Sequence, residues 1–374
     1  MRISFGEIIS DSFKWMAKIL FKPFNLKKWI ILTFIAILAG EFGSGGSFSS
    51  SGRTTHKQEP LQESGFLNSG FYTSFNEPQV ALAQNLSSQK AKKPQEASLP
   101  EAKNSIKEAL AKIKASPVKL LIATLIFICF LLLILIFMWL NARFQFIFLE
   151  DIVKNDASIK RPFRENKRES NSLFFFNIFM AVFSLSVIGG LFFWGFVSLM
   201  GAFTKTADLG FLKILLCLTP HLILLFLFIF SMVLLGVIIH DFVLPIMYKN
   251  KVGILKGIGS ALSILFKRPG SFILYIFIKI GLGIAAFICA VIVGILLSLV
   301  ALIVILIGAL IYSIVPSGAH LGLIIVFIVI GIPIFLGLMF ITEAFLLPIP
   351  VFFRTFSLKF LAALDERYDV FALT

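Results

Sequence analysis

Residues 118–140 read VKLLIATLIFICFLLLILIFMWL, an apolar run whose one charge, Lys119, stands next to its start. A helix rises about 1.5 Å per residue and the hydrocarbon of a bilayer is about 30 Å thick, so about 20 such residues cross it. The run therefore reads as a transmembrane helix and sets the class of the chain. Comparable stretches follow at Leu173–Ala202, Ile214–Ile239, Phe272–Ile314 and Leu321–Leu347, the last two parted by Pro316-Ser317-Gly318-Ala319-His320. A shorter one, Trp29–Gly40, precedes Glu41 and a Gly/Ser run. It crosses only if Phe42–Phe48 adds depth or the bilayer thins. A signal peptide is the competing reading, disfavoured by the long charged stretch before it and by Ile37-Leu38-Ala39, a poor cleavage site.

Composition agrees with this class. Of 374 residues 58% are hydrophobic and only 14% charged, and mean hydropathy is +0.95. Soluble domains carry about 25% charge, so a soluble enzyme, a secreted disulfide scaffold and a disordered chain are excluded. The net charge of +14 would suggest nucleic acid in a soluble protein. Here the cations punctuate apolar segments, so topology and anionic lipid explain them and no nucleic-acid partner is expected. Cys129, Cys217 and Cys289 lie inside apolar runs without metal or disulfide spacing.

Lysine and arginine set the sidedness. Residues 1–28 carry six, 141–172 seven, 240–270 five and 348–374 three, against two in 204–213 and none in 316–320. The 41–117 segment carries nine, but it exceeds the loop length of about 60 residues over which the positive-inside rule operates. The positive-inside rule then places both termini in the cytoplasm. The expected fold is all-α and polytopic, with about six transmembrane helices in three hairpins and amphipathic helices on the cytoplasmic face. Residues 1–40 hold an inner-face helix and the first span, 41–117 a mostly flexible exterior loop, and 118–374 the helical membrane domain. Phe272–Ile314 is nearly twice one span. Seven spans would put Arg354, Lys359 and Arg367 outside, so a long, tilted or broken helix around Gly281 and Gly283 is preferred.

Each hairpin is introduced by an inner-face segment. In Met1–Leu20 the residues Ile3, Phe5, Ile8, Ile9, Phe13, Met16, Ile19 and Leu20 form one apolar stripe, suited to a helix lying in the interface. It ends Ile19-Leu20-Phe21-Lys22-Pro23, and Lys251–Phe266 ends Ile264-Leu265-Phe266-Lys267-Arg268-Pro269. Asn141–Ser172 again joins two spans through a basic stretch. Lys14, Lys18, Lys22, Arg161, Arg164, Lys167, Arg168, Lys267 and Arg268, interleaved with Phe13, Phe21, Phe163 and Phe266, are expected to form a collar that grips anionic lipid. Gly253/Gly257, Ser186/Gly190 and Ala286/Ala290/Gly294 are small residues four apart, expected first to pack intramolecularly and second to serve a homo-oligomer or a membrane-protein partner.

Charges inside spans are costly and mark sites. Glu41 at the end of the short first span, Lys279 and Glu343 are the three candidates. Either an ion pair joins Lys279 and Glu343, or Lys279 snorkels to the inner interface and Glu343 lies near the headgroups. His240-Asp241 and Glu150-Asp151 sit at inner span ends and could move a proton or bind a metal, though membrane-boundary caps are the plainer reading. No catalytic, P-loop or zinc spacing occurs, so no catalytic residue, metal or cofactor is expected. The leading expectation is a non-enzymatic scaffold, assembly factor or lipid-organising subunit. A small-solute transporter or channel is the first alternative, and a headgroup enzyme using His240, Asp241, Glu150 and Asp151 the second.

Several strings carry a resemblance. They are Arg143-Phe144-Gln145-Phe146-Ile147-Phe148-Leu149 with Ile159-Lys160-Arg161-Pro162-Phe163-Arg164, and Asp241-Phe242-Val243-Leu244-Pro245-Ile246-Met247-Tyr248. To these add Arg268-Pro269-Gly270-Ser271-Phe272-Ile273-Leu274-Tyr275 and the stretch from Leu347-Pro348 through Arg354 to Tyr368-Asp369-Val370-Phe371. Over most of 118–374 the chain resembles a bacterial family of uncharacterised integral membrane proteins. That family is distantly similar to the membrane domain attached to some glycerophosphodiester phosphodiesterases. The resemblance implies a helical membrane domain in a bacterial inner membrane and no established activity.

Overall fold

The computed structural model of the chain describes residues 4–44, 117–205, 210–315 and 320–373. They form helices joined by short turns, with no strand among them. In chain order these are α1 (Phe5–Phe21), α2 (Leu26–Ala39), α3 (Glu41–Ser44), α4 (Pro117–Lys154), α5 (Lys160–Glu165), α6 (Lys167–Lys205) and α7 (Phe211–Ile238). A π-helical turn (Ile239–Val243) leads into α8 (Leu244–Asn250), followed by α9 (Ile254–Lys267), α10 (Pro269–Ile314), α11 (His320–Leu346) and α12 (Pro348–Leu364). The chain divides into two units, 1–49 with 134–374 and 50–133. Of the second, 117–133 is described, the first part of α4. The exterior-loop expectation for 45–116 lies outside the described residues.

Five helices are long and apolar enough to cross a membrane: Leu120–Lys154, Lys167–Ala202, Leu212–Asn250, Pro269–Ile314 and Val326–Leu346. In four of the five, none of the most apolar 18-residue window is buried by protein. So much exposed Leu, Ile and Phe is untenable in water, and lipid is the solvent that fits it. Phe272–Ile314 belongs to one helix that runs unbroken through Gly281 and Gly283, about 69 Å long at 1.5 Å per residue. The break considered at those glycines is absent. The excess length goes into protein, because Phe272, Tyr275, Ile276, Ile278 and Leu282 at its start pack on the core.

That core is built from helix ends and short helices. Ala142–Val153 of α4, Phe242–Tyr248, the inner faces of α1 and α9, and most of α12 bury their side chains together. α12 is buried nearly all round. Its internal Thr355 and Ser357 hydroxyls donate to the carbonyls of Val351 and Arg354, so they add no unsatisfied donor. The stripe of α1 is a correction to the sequence reading. Ile8, Met16, Ile19 and Leu20 are buried against protein, α1 lying along α12, while Phe13 and Lys14 face outward. An amphipathic period reports one apolar face without saying whether lipid or another helix covers it.

α2 has 14 residues, about 21 Å, and is not among the five long helices. Lys28 Nζ donates to Asn155 Oδ1 at 2.7 Å and Asn141 Nδ2 donates to the Leu38 carbonyl at 3.0 Å, so α2 runs antiparallel to the core end of α4. Gly40 closes α2 at φ 71°, where a Cβ would stand 3.0 Å from Asn141 Nδ2. Glu41, assigned from sequence to the start of the exterior loop, is instead buried in the core. Trp15 Nε1 donates to the Ile152 carbonyl (3.1 Å) and Trp29 Nε1 to the Leu20 carbonyl (2.7 Å), tying the N-terminal helices down. Of the small-residue pairs, Gly257 packs within the chain, its missing Cβ lying 2.9 Å from Met247 Cγ and 3.0 Å from Val243 Cγ1. Gly190 and Gly294 face open space.

Candidate functional site

The π-helical turn explains how the site is made. Pro245 has no N–H and its ring crowds the preceding turn, so the α-ladder cannot run through it unchanged. The chain accommodates this by widening: Leu244 N–H bonds Ile239 O, five residues back. The helix-continuing donor for the His240 carbonyl would be Pro245. That carbonyl turns instead to Arg354, whose Nη1 donates to it at 2.7 Å. Such π-turns recur at functional sites.

Around this turn six side chains from four elements form one hydrogen-bonded network. Arg354 of α12 is fully buried and donates through Nη2 to Glu41 Oε1. The His240 ring lies between two carboxylates, Nε2 being 3.1 Å from Glu41 Oε2 and Nδ1 3.1 Å from Asp241 Oδ1. Asp241 Oδ2 accepts from Lys279 Nζ at 2.5 Å and from Tyr275 Oη at 2.8 Å. Two anions face two cations, so the network is neutral when His240 is neutral. Arg354 Nη2 is also 2.6 Å from His240 Nε2. A guanidinium only donates, so a neutral ring accepts there and presents Nδ1–H to Asp241. A charged ring would offer Nε2–H to Glu41. Both protonation states of His240 have partners.

Aromatic rings wall this network. Tyr275 stacks on Phe360 (centroids 4.5 Å) and Phe356 (5.4 Å), with Phe242 edge-on at 5.3 Å. Phe5 of α1 stacks on Phe360 at 5.5 Å, linking the N-terminal helix to the same cluster.

Lys279 and Glu343, the candidate pair, are not brought together. Lys279 spends its ammonium on Asp241, and Glu343 Oε2 is buried with no hydrogen-bond partner among the described residues. The physical reason is reach. Lys279 lies one turn beyond Tyr275 on the face of α10 turned to the π-turn, where a carboxylate is already in place. Glu41, singled out from sequence as an ionisable group at the end of the first span, was not joined to His240 or Arg354, because 199 and 313 residues separate the bonded partners. Glu150 and Asp151 belong elsewhere. Glu150 binds Lys154 at 2.7 Å, Arg161 at 3.5 Å and Asn166 Nδ2 at 2.8 Å, while Asp151 Oδ1 accepts from Ser158 N–H. The two networks share no member, so the four residues of the headgroup-enzyme reading do not form one cluster. No metal-holding group of His, Cys, Asp and Glu occurs among the described residues. His221 sits inside the α6–α7 pair, 3.3 Å from Ser198 Oγ and 4.4 Å ring to ring from Trp194.

All nine residues of the expected collar, Lys14, Lys18, Lys22, Arg161, Arg164, Lys167, Arg168, Lys267 and Arg268, are exposed. Phe13 (60%) and Phe266 (78%) stand out beside them.

Comparison with known proteins adds a family and nothing more specific. The model of a family of unknown function, DUF7544, matches residues 6–371. No curated protein matches, and no solved structure does. The similarity to the phosphodiesterase membrane domain therefore gains no support from these comparisons.

Proposed function

Since the chain belongs to this family of unknown function, which brings no activity with it, we propose from the geometry that it is a non-enzymatic scaffold of the bacterial inner membrane that organises anionic lipid. One observation carries the reading. The ionisable side chains of the apolar helices at the site, His240, Asp241 and Lys279, are consumed in pairing with Glu41, Arg354 and Tyr275. Their use is to lock N- and C-terminal segments onto the span ends. The exposed cations and aromatics then remain as the chemically distinctive surface. Each cation near an anionic leaflet contributes about 1 kcal/mol. Changing Arg161, Arg164, Lys167 and Arg168 to alanine should therefore weaken a preference for phosphatidylglycerol or cardiolipin over phosphatidylcholine by more than about tenfold. Native mass spectrometry of the purified protein reads this, and equal retention of neutral lipid by the unaltered protein would end the proposal.

The topology belongs to the same reading. α1 and α12 pack side by side, which supports both chain ends on one face and an even number of crossings. With five helices long and apolar enough to cross, the reading takes α2 as part of a sixth, for six spans in three hairpins with cytoplasmic termini. A cysteine added after Thr374 should stay unlabelled by an impermeant thiol reagent in intact cells. Labelling would reverse the orientation. A transporter is the second reading, favoured by His240 bridging Glu41 and Asp241 through its two ring nitrogens, the geometry of a proton relay. Acidification of proteoliposomes that His240→Gln abolishes would move the conclusion to it.

A further inference from the structure

A crevice of about 540 Å³ opens between α4 and α6, within the range of roughly 300–1,000 Å³ usual for small-molecule sites. Its walls are Phe137 and Met138 on one side and Met180 and Ala181 on the other. Three polar side chains, Asn141, Asn177 and Ser184, also line it. Asn141 is engaged: its Nδ2 donates to Leu38 O and its Oδ1 accepts from Gln145. Ser184 Oγ lies 3.7 Å from Met232 Sδ. The Asn177 amide has no hydrogen-bond partner among the described residues. Two donors and an acceptor on a membrane helix call for a partner, because lipid tails offer none.

The depth of that amide says what the partner is. Arg143 lies over the rings of Trp139 (5.0 Å) and Phe163 (4.8 Å) and donates to Asn171 Oδ1, an aromatic–cation anchor of the kind that marks headgroup level. Asn177 follows Asn171 by six residues, about 9 Å further along the helix, and Ser184 by about 10 Å more. The amide thus stands just below the headgroups, where the ester carbonyls of a glycerolipid lie, and the apolar walls continue toward the tails. A neighbouring helix would answer it only with a polar side chain of its own at that depth, since its backbone is already hydrogen-bonded.

We infer that the α4–α6 crevice is a phospholipid site, with an acyl chain between Met138 and Met180 and an ester oxygen accepting from the Asn177 amide. The inference rests on the helices crossing a bilayer and is independent of the headgroup preference of the basic rim. Esters are common to charged and neutral phospholipids, so the site should not discriminate between them. The test is native mass spectrometry of the delipidated full-length protein, titrated with phosphatidylglycerol and separately with phosphatidylcholine. The unaltered protein should retain one more lipid of either kind than Ala181→Trp, which fills the crevice. Asn177→Leu, of similar volume, should bind that lipid about fivefold to tenfold more weakly, the loss of one hydrogen bond, and it keeps the test standing if the tryptophan variant fails to fold. Equal lipid counts in all three proteins would overturn the site. So would a photo-crosslinker at Met180 that yields protein dimers and no lipid adduct. Loss of the rim's anionic preference with the crevice lipid retained would sink the collar alone.

Discussion

Replacing Arg354 with methionine is expected to destabilise the folded protein by about 3–5 kcal/mol, the cost of removing one partner from a buried ion pair. The guanidinium is fully buried and supplies both the counter-charge of Glu41 and the donor for the His240 carbonyl. Thermal unfolding in mild detergent reads the loss. A second variant separates electrostatics from packing: adding Glu41→Leu to Arg354→Met should recover most of the stability, since apolar replacement of both partners is close to neutral. A double variant no better than the single one would show that packing around α12, and not the pair, is responsible.

Phe360→Ala should cost a comparable amount, about 3–5 kcal/mol. Its fully buried ring is 4.5 Å from Tyr275, 5.5 Å from Phe5 and 6.0 Å from Phe242, so three other segments meet on it. Rings stacked from separate helices cannot close over the void without moving whole elements. Phe360→Leu keeps much of the volume and should lose clearly less. Because Phe5 rests on this ring, hydrogen exchange in α1 should rise in the alanine variant more than in α6 or α7. A loss below about 1 kcal/mol would mean that the aromatic cluster is not the seam between α1 and α12.

Particular residues show where the sequence was readable. The long spans were, because a lipid-facing residue meets the same apolar surroundings whatever its neighbours, so length and composition suffice. His240, Asp241 and Lys279 stood out for the converse reason, being charges or potential charges in apolar helices. Pro245, five residues after His240, was a local sign that a helix carbonyl near His240 would be released, though nothing local names the group that takes it. Arg354 looked like one more inner-face cation in a tail. Glu41 stood out as a charge at the end of the first span, but nothing local named Arg354 and His240 as its partners.

The amino-acid order alone determined that this is a helical chain with several helices long and apolar enough to cross a membrane, since transfer into hydrocarbon is paid residue by residue. Only the tertiary structure decided who answers each charge: Asp241 rather than Glu343 for Lys279, Glu41 for Arg354, and helix α12 rather than lipid for the stripe of α1. Those choices depend on which elements lie within about 3 Å of one another. Contacts between groups hundreds of residues apart leave no trace in local spacing.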